Sequence, residues 1–393
     1  MSLSPQLRDA AFRWIVDDFD DDSKQELQMV VGSAMAGNDD AVAELSDRMN
    51  GSLTFGTAGL RGIVRAGPNG MNRAVVARTT FAVASWLTAN GHGGGIVIVG
   101  RDARHGSEVF ATDVAEVLAA LGFDVRAFAD PLPTPLVPFA VRQLSAVAGI
   151  QITASHNPPA DNGYKLYDNS GAQIIAPADR EIEAAIRQAP AARNIGRTRG
   201  WREIDESVVD DYLSRIGKIH TGESRKLRIA LTPMHGVGGE IAVKALRVAG
   251  FTDVHVVREQ AAPDPEFPTV SFPNPEEPGA TDLLLALAGK VGADLAIALD
   301  PDADRCAIGI PTGDGWRMLR GDETGALLGD YLLSTLDTSA HPDPLVATTI
   351  VSSTMLKSIA AKHGARYAET LTGFKWLVRA GDGLVFAYEE ALG

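Results

Sequence analysis

Three times along this chain, an apolar run, an amphipathic helical pattern ending on glycine, and a second apolar run follow one another in the same order. The first copy is GIVIVGRD, Gly95 to Asp102, then SEVFATDVAEVLAALG, Ser107 to Gly122, then FDVRAFAD. The second is LRIALTPMHG, Leu227 to Gly236, then GGEIAVKALRVAG, Gly238 to Gly250, then FTDVHVV, Phe251 to Val257. The third is PLVATTIVSS, Pro344 to Ser353, then STMLKSIAAKHG, Ser353 to Gly364, then ARYAET, Ala365 to Thr370. Short apolar runs bounded by turn residues read as buried strands, and the 3.6-residue period between them reads as helix. Strands alternating with helices imply α/β domains built on parallel sheets.

Each copy closes with a further apolar strand that runs into a polar loop: AVAGIQI into TASHNPP, DLAIALD into PDADR, LVFAYE into EALG. In such sheets ligands bind outside the carboxyl ends of the strands, so these three loops are expected to carry the chemistry. If the copies face one cleft, all three loops reach a single ligand. Three independent doubly wound domains whose loops never meet are the plainer alternative.

A chain of 393 residues exceeds what one core supports. Boundaries are expected in RQAPAARNIGRTRG, Arg187 to Gly200, and in HPDP, His341 to Pro344. They divide the chain into residues 1–195, 196–341 and 342–393. Residues 1–50 read as helices that precede the first copy, and the acidic DDFDDDSK, Asp17 to Lys24, reads as a solvated loop or helix start. A net charge of -14 with no block of Lys or Arg argues against nucleic acid as a partner. No apolar run approaches the ~20 residues that cross a bilayer. The single Cys306 gives no disulfide framework, and no leader pattern opens the chain, which points to the cytoplasm. Oligomeric state leaves no trace in the sequence.

ALDPDADR, Ala298 to Arg305, places Asp300, Asp302 and Asp304 at alternate positions. In an extended chain that spacing puts three carboxylates on one face, and a curl at the strand end would converge them. Two like charges about 4 Å apart cost about 4 kcal/mol at an effective dielectric near 20, so such a set calls for a cation. A hard oxygen set favours Mg2+. An EF-hand fails on spacing, because Arg305 stands where glycine is needed and Pro311 where the bidentate glutamate belongs. An Asp-rich solvated turn is the bland alternative. A third reading makes Asp300 itself the phosphate-accepting nucleophile with Asp302 as acid, as in haloacid-dehalogenase-like phosphotransferases, but it leaves the serine loop unexplained.

In QITASHNPPADNGYKLYD, Gln151 to Asp168, Ser155 and His156 stand side by side. Neighbours on an extended segment point to opposite sides, so His156 is expected to be poorly placed to take the Ser155 proton, and no G-x-S-x-G elbow surrounds them. A phosphate on Ser155 would instead supply an oxygen to a metal held by the three aspartates. The charge of such a centre calls for further cations, for which Arg305, Lys165, Arg101, Arg104 and Arg61 are candidates. The Gly-rich TFGTAGLRG, Thr54 to Gly62, can bring backbone N–H groups to an anion. His235 of TPMHGVGG reads as a core or turn histidine.

FGTAGLRG, GRDARHGS, TASHNPP with NGYK, DPDADR, TGFKW and EEALG, spread from about residue 50 to the end, together make the chain resemble the alpha-D-phosphohexomutase family of phosphoglucomutases and phosphomannomutases. The resemblance implies three topologically similar mixed or parallel α/β domains facing one cleft. It implies that Ser155 carries a phosphoryl group and that Mg2+ is held by phospho-Ser155, Asp300, Asp302 and Asp304. Arg61 and Lys165 would assist proton transfer or stabilise charge, and His156 and Arg305 would lie on the substrate. Thr372, Gly373, Lys375 and Glu389 would lie on the sugar. The implied reaction interconverts a hexose 1-phosphate and a hexose 6-phosphate, of glucose or mannose, with a hexose 1,6-bisphosphate as intermediate and activator.

Two departures shape the expectations. Ala391 stands where many relatives have a serine that contacts the sugar, and TGFKW with EEALG resembles the phosphoglucomutase and phosphopentomutase branch, which keeps pentose phosphates open. Family members usually continue into a fourth domain with an R-x-S-G-T-like loop for the distal phosphate. No such motif occurs before Gly393, so that domain is expected to be absent from this chain. A catalytically weak sugar-phosphate-binding fragment is therefore a further reading.

Overall fold

A computed structural model describes residues 3–54, 59–219, 222 and 224–391. The chain forms two compact units, residues 1–131 with 137–205, and residues 132–136 with 206–393.

The first unit opens with three helices, α1 (Pro5–Asp17), α2 (Asp21–Met35) and α3 (Asp39–Arg48). Each starts on a side-chain cap: Ser4 accepts from the Leu7 N–H, Asp20 from Ser23, and Asn38 from Asp40 and Ala41. The acidic cluster is thus a helix start, as its composition suggests. Ala11, Leu27, Val31 and Leu45 close a small core between the three helices.

There follow β1 (Leu60–Ile63), α4 (Arg73–Ala89), β2 (Ile96–Arg101), α5 (Ser107–Ala120), β3 (Asp124–Ala127), α6 (Leu136–Gln143), β4 (Ala148–Ile152), β5 (Asp161–Asp168), α7 (Ala178–Gln188) and β6 (Arg202–Glu203). The strands lie in the order β1-β5-β4-β2-β3-β6. β2 pairs in parallel with β3 and β4, while β5 runs antiparallel to both β4 and β1. Every residue of β4 is buried, as befits a central strand, and four of its five residues carry no polar side chain. Gly100 and Gly149 lie beneath Val137 of α6, where a Cβ would come within 2.6 Å and 2.8 Å of its methyl groups. From β2 the chain crosses to β3 on one side, and from β3 it crosses back to β4 on the other. The direction of winding therefore reverses between β2 and β4, which is where open α/β sheets place their ligands.

The second unit holds α8 (Ser207–Gly217), β7 (Ile229–Thr232), α9 (Gly239–Val248), β8 (Val254–Val256), α10 (Asp282–Val291), β9 (Leu295–Leu299), β10 (Cys306–Thr312) and β11 (Gly315–Met318). Then come α11 (Gly321–Thr335), β12 (Leu345–Thr349), α12 (Met355–His363), β13 (Arg366–Thr370), α13 (Phe374–Leu377) and β14 (Leu384–Tyr388). One sheet has the order β11-β10-β9-β7-β8 and the other β13-β12-β14. In the first, β7 is parallel to β8 and β9, and β9, β10 and β11 form an antiparallel meander. The second is wholly parallel. α11 packs on α12 and β14, so the cover of this last sheet begins ahead of the HPDP segment.

The expectation of parallel sheets holds for the strands that alternate with helices and fails where two strands flank a chemical loop. Only eight residues separate β4 from β5 and six separate β9 from β10. A parallel crossover needs a dozen or more, so each loop closes an antiparallel hairpin. Among the described residues no helix is long and apolar enough to cross a membrane.

Candidate functional site

The serine loop is the turn between β4 and β5. Ser155 sits at φ +54°, in the left-handed region, with its N–H donated to Thr153 Oγ1 at 2.9 Å. A non-glycine residue held there costs on the order of 1–3 kcal/mol and persists only where the surroundings enforce it. Here the enforcement comes from Arg104. Its guanidinium donates to the carbonyls of Ser155 (2.7 Å), Asn157 (2.6 Å), Pro158 (2.8 Å) and Asp161 (3.2 Å), and its Nε lies 3.5 Å from the buried Asp102 carboxylate. Asp102 in turn accepts from the Arg104 N–H and the Ser107 hydroxyl. Burial pushes its carboxyl up, against the pull of Arg104.

The left-handed turn also corrects the expectation that His156 faces away from Ser155. The segment is not extended at Ser155, and Ser155 Oγ lies 3.2 Å from His156 Nδ1.

Arg61 on β1 reaches the same loop, donating to Asn157 Oδ1 at 2.9 Å. Gly163 is paired opposite it, and a Cβ there would meet the Leu60 and Thr153 carbonyls at 2.6 Å and Arg61 Cγ at 3.0 Å. Asn162 ties the strand to the GRDARHGS loop through the His105 carbonyl (2.8 Å) and Ser107 Oγ (2.9 Å). NGYK thus reads as a framework pair, Asn162 and Gly163, followed two residues later by the buried Lys165, which is paired with Gln151. Arg101 points elsewhere, bonding the Ala129 carbonyl at 3.3 Å. Residues 55–58 of the Gly-rich stretch lie outside the described residues.

In the second unit DPDADR is the hairpin turn between β9 and β10. Ala303 takes φ +53° and donates its N–H to the Asp300 carbonyl at 2.9 Å, while the Arg305 N–H donates to Asp300 Oδ1 at 3.1 Å. The chain curls rather than staying extended. One carboxylate oxygen from each of Asp300, Asp302 and Asp304 lies within 4.8 Å of the others. Asp300 and Asp302 are fully buried. Charges at that spacing repel by about 3 kcal/mol per pair at an effective dielectric near 20. This donor set fits a hard divalent cation.

The turn is braced from below by TPMHGVGG: Val237 donates its N–H to the Pro301 carbonyl at 2.9 Å, and a Cβ at Gly236 would run into the Pro301 backbone. His235 is a buried turn residue bonded to Thr269 at 2.9 Å, and burial holds its imidazole below the usual range. Thr134, in the short stretch grouped with this unit, donates its hydroxyl to Asp302 Oδ2 at 2.5 Å and its N–H to the Asp302 carbonyl at 2.8 Å.

The residues expected on the sugar lie on α13 and at the ends of β13 and β14. The Gly373 N–H donates to Glu389 Oε2 at 3.0 Å, and Gly373 takes φ +119° at the start of α13. Lys375 is buried with its Nζ 5.8 Å over the Trp376 ring, and Thr372 is exposed. Burial pushes the Glu389 carboxyl up, against Arg305 and the Gly373 N–H, and Asp304 and Glu390 add to the rise. Glu390, although partly buried, is held below the usual range by bonds from Thr349 (2.7 Å) and Ser352 (2.9 Å). Glu276 is likewise pushed up by burial and felt by Arg305 and Glu390. Arg305 therefore stands among three glutamates, of which the sequence singled out only Glu389. Thr134, Glu276 and the carbonyl clamp of Arg104 carried no spacing signal of their own.

These sites stand on a chain whose likeness to known proteins runs through all three sheets. The family models for phosphoglucomutase/phosphomannomutase alpha/beta/alpha domains I, II and III match residues 52–193, 210–313 and 320–393. A Haemophilus influenzae protein named "Probable phosphomannomutase" is 40% identical over 330 residues, covering 82% of this chain and 67% of that protein. A human protein named phosphopentomutase is 38% identical over 391 residues, covering 89% of this chain and 62% of that protein. A crystal structure of a phosphoglucomutase/phosphomannomutase family protein from Burkholderia thailandensis shares the fold, with a TM-score of 0.71 at 24% identity over 86% of this chain and 70% of that one. The chain thus spans about two thirds of the length of its curated relatives, and with all three domain models matched it belongs to the phosphoglucomutase/phosphomannomutase, or alpha-D-phosphohexomutase, family.

Proposed function

We propose that this chain carries the phosphoserine and metal machinery of a cytoplasmic sugar-phosphate mutase. Ser155 bears the phosphoryl group. A free hydroxyl of the sugar monophosphate attacks that phosphorus, the bond to Ser155 Oγ breaks, and a sugar bisphosphate forms. After the bisphosphate turns around, Ser155 Oγ takes back the other phosphoryl group. Lys165 and Arg61 move the proton or offset charge at Ser155, with His156 beside it. Arg305, Thr372, Gly373, Lys375 and Glu389 hold the sugar. Mg2+ on Asp300, Asp302 and Asp304, with an oxygen of phospho-Ser155, would supply charge neutralisation at the phosphoryl group. A bisphosphate such as glucose 1,6-bisphosphate would prime an unphosphorylated chain.

The observation that carries this reading is the Ser155 turn itself, a strained left-handed serine clamped through four carbonyls by a buried arginine. A chain using Asp300 as nucleophile would have no use for this turn. Relatives named for mannose and for pentose phosphates leave the substrate to be found among hexose and pentose 1-phosphates.

Intact-mass measurement after priming with glucose 1,6-bisphosphate is expected to find one added phosphate, mapped to Ser155 and lost in Ser155→Ala. Phosphate retained in Ser155→Ala and lost in Asp300→Asn would replace this mechanism with the aspartyl one. Glucose, mannose and ribose 1-phosphates offered to the primed protein then identify the sugar. Saturable binding of all three without interconversion would reduce the chain to a binding fragment.

A further inference from the structure

A cavity of about 170 Å³ opens between the first turns of α5 and the carboxyl ends of β2 and β3. The serine loop follows β4, on the opposite side of β2, so this cavity is separate from the gap between β2 and β4. Its lining is mixed, with Ala111 and Ala115 of α5 and Phe128 just past β3 among the apolar part. Trp201 forms one wall, and Arg101 and Glu108 stand with it at the lining.

Of the polar side chains in that lining, Thr112 donates its hydroxyl to the Glu108 carbonyl at 2.9 Å, while the charged groups and the indole are little engaged. Among the described residues Arg101 makes one hydrogen bond, a long one of 3.3 Å to the Ala129 carbonyl, leaving most of its N–H groups for a ligand. Neither the Glu108 carboxylate nor the Trp201 indole N–H has a bonded protein partner among the described residues.

A guanidinium fork with free donors matches a carboxylate in bidentate geometry. Apolar lining beside an indole takes the face of an aromatic ring. A sugar ring fits poorly, since its hydroxyls would lose water over the alanines and the phenylalanine without gaining partners. An apolar cavity of about 150 Å³ holds benzene in another protein, so this one has room for a single six-membered ring with its charged substituent at the rim.

We propose that this pocket is a second ligand site, selective for an aromatic monocarboxylate of benzoate size, with Arg101 binding the carboxylate and Trp201 packing on the ring. Trp201 lies four residues before Asp205, the last residue of the first unit, so every lining residue belongs to that unit. The site does not depend on the reading of Ser155.

The test uses the full chain labelled with 5-fluorotryptophan, whose five indole signals are resolved by fluorine NMR and assigned for position 201 with Trp201→Phe. Added benzoate is expected to shift the Trp201 signal saturably in the millimolar range, as befits so small a ligand, and to leave the other four in place. Arg101→Ala should raise the apparent Kd about tenfold or more. Ala111→Leu should fill the cavity and abolish the shift while the other fluorine signals keep their positions. If that variant fails to fold, Arg101→Gln decides in its stead, with the same tenfold loss expected. A Trp201 signal that ignores benzoate, a shift that is linear in benzoate, or one undiminished in the Arg101 variants overturns the proposal. So does a Trp201 signal that responds to glucose 6-phosphate and not to benzoate.

Discussion

Arg104 was singled out in the sequence as a cation that could face a phosphate, and the structure gives it a different task. The two terminal nitrogens of its guanidinium donate four hydrogen bonds to backbone carbonyls of the serine loop and the start of β5, and its Nε forms an ion pair with Asp102 at 3.5 Å. In the proposed mechanism it is therefore a positioning residue, acting on phosphoryl transfer through the φ of Ser155. Arg104→Lys keeps the charge and loses the fork, and a displacement of the nucleophile by about 1 Å is enough to cost on the order of 100-fold in rate. Single-turnover transfer from the phosphoserine is expected to fall by about that factor, with sugar-phosphate binding by calorimetry unchanged and partial rescue by added guanidinium in Arg104→Ala. Equal losses in binding and transfer, with no rescue, would assign Arg104 to folding alone. Glu389 shows a different residue-scale effect. Its carboxyl is raised in the folded chain, chiefly by burial, so the folded state holds the proton more tightly than the unfolded one. The cost of ionising it is absent below the ordinary carboxyl pKa and grows as pH rises through the folded value. Glu389→Gln should therefore raise Tm at pH 7 by roughly 2–4 °C for each kcal/mol relieved, and the gain should vanish near pH 4 in a pH series of melting curves. A gain that persists at pH 4 would point to packing instead.

At the scale of elements, what was legible followed from period and length. The nine apolar runs of the three copies became β2, β3, β4, β7, β8, β9, β12, β13 and β14, and the signal is plainest at β4, β7 and β12, which are buried at every residue. The helices of the three copies end within about two residues of their glycines, where a left-handed residue stops the turn, as at Gly250 and Gly364. Outside the sequence reading lay β1, β6 and the helices α4, α6, α7, α8, α10, α11 and α13, and also β5, β10 and β11, whose polar and glycine-rich sequences, NGYKLYD and CAIGIPTGDGWRM, carry turn signals over their strand pattern. Loop length held the missing information, since six or eight residues cannot cross a sheet. The site residues follow the same division. Asp300, Asp302 and Asp304 converge because alternation at a strand end survives the curl into a hairpin. An extended chain at Ser155 would turn His156 away, and a single left-handed residue reverses that geometry. Glu276 reaches Arg305 from a Pro-rich segment with no period at all, so only folding brings it into view.

At the scale of the whole molecule, the proposed chemistry needs a residue of the first unit and three of the second. Charge makes the requirement concrete. Three carboxylates and a phosphate of roughly -2 outweigh a divalent ion, so the cation binds best when Arg305 and the cations of the serine loop act with it. Manganese is a fitting probe, because it accepts the same oxygen donors as magnesium and its unpaired electrons relax nearby nuclei steeply with distance. The phosphorus signal of chain phosphorylated at Ser155 is expected to be sharp with magnesium and to broaden beyond detection with one equivalent of manganese. In Asp302→Ala, with the phosphate still in place by mass, the same manganese should leave the line sharp, because two aspartates no longer hold the ion. Loss of broadening in this variant would tie the effect to the aspartate turn rather than to ions scattered over an acidic surface. A sharp phosphorus line in the unaltered chain under saturating manganese would separate the phosphoserine from the aspartate turn, and with it remove the shared centre on which a mutase of this kind depends.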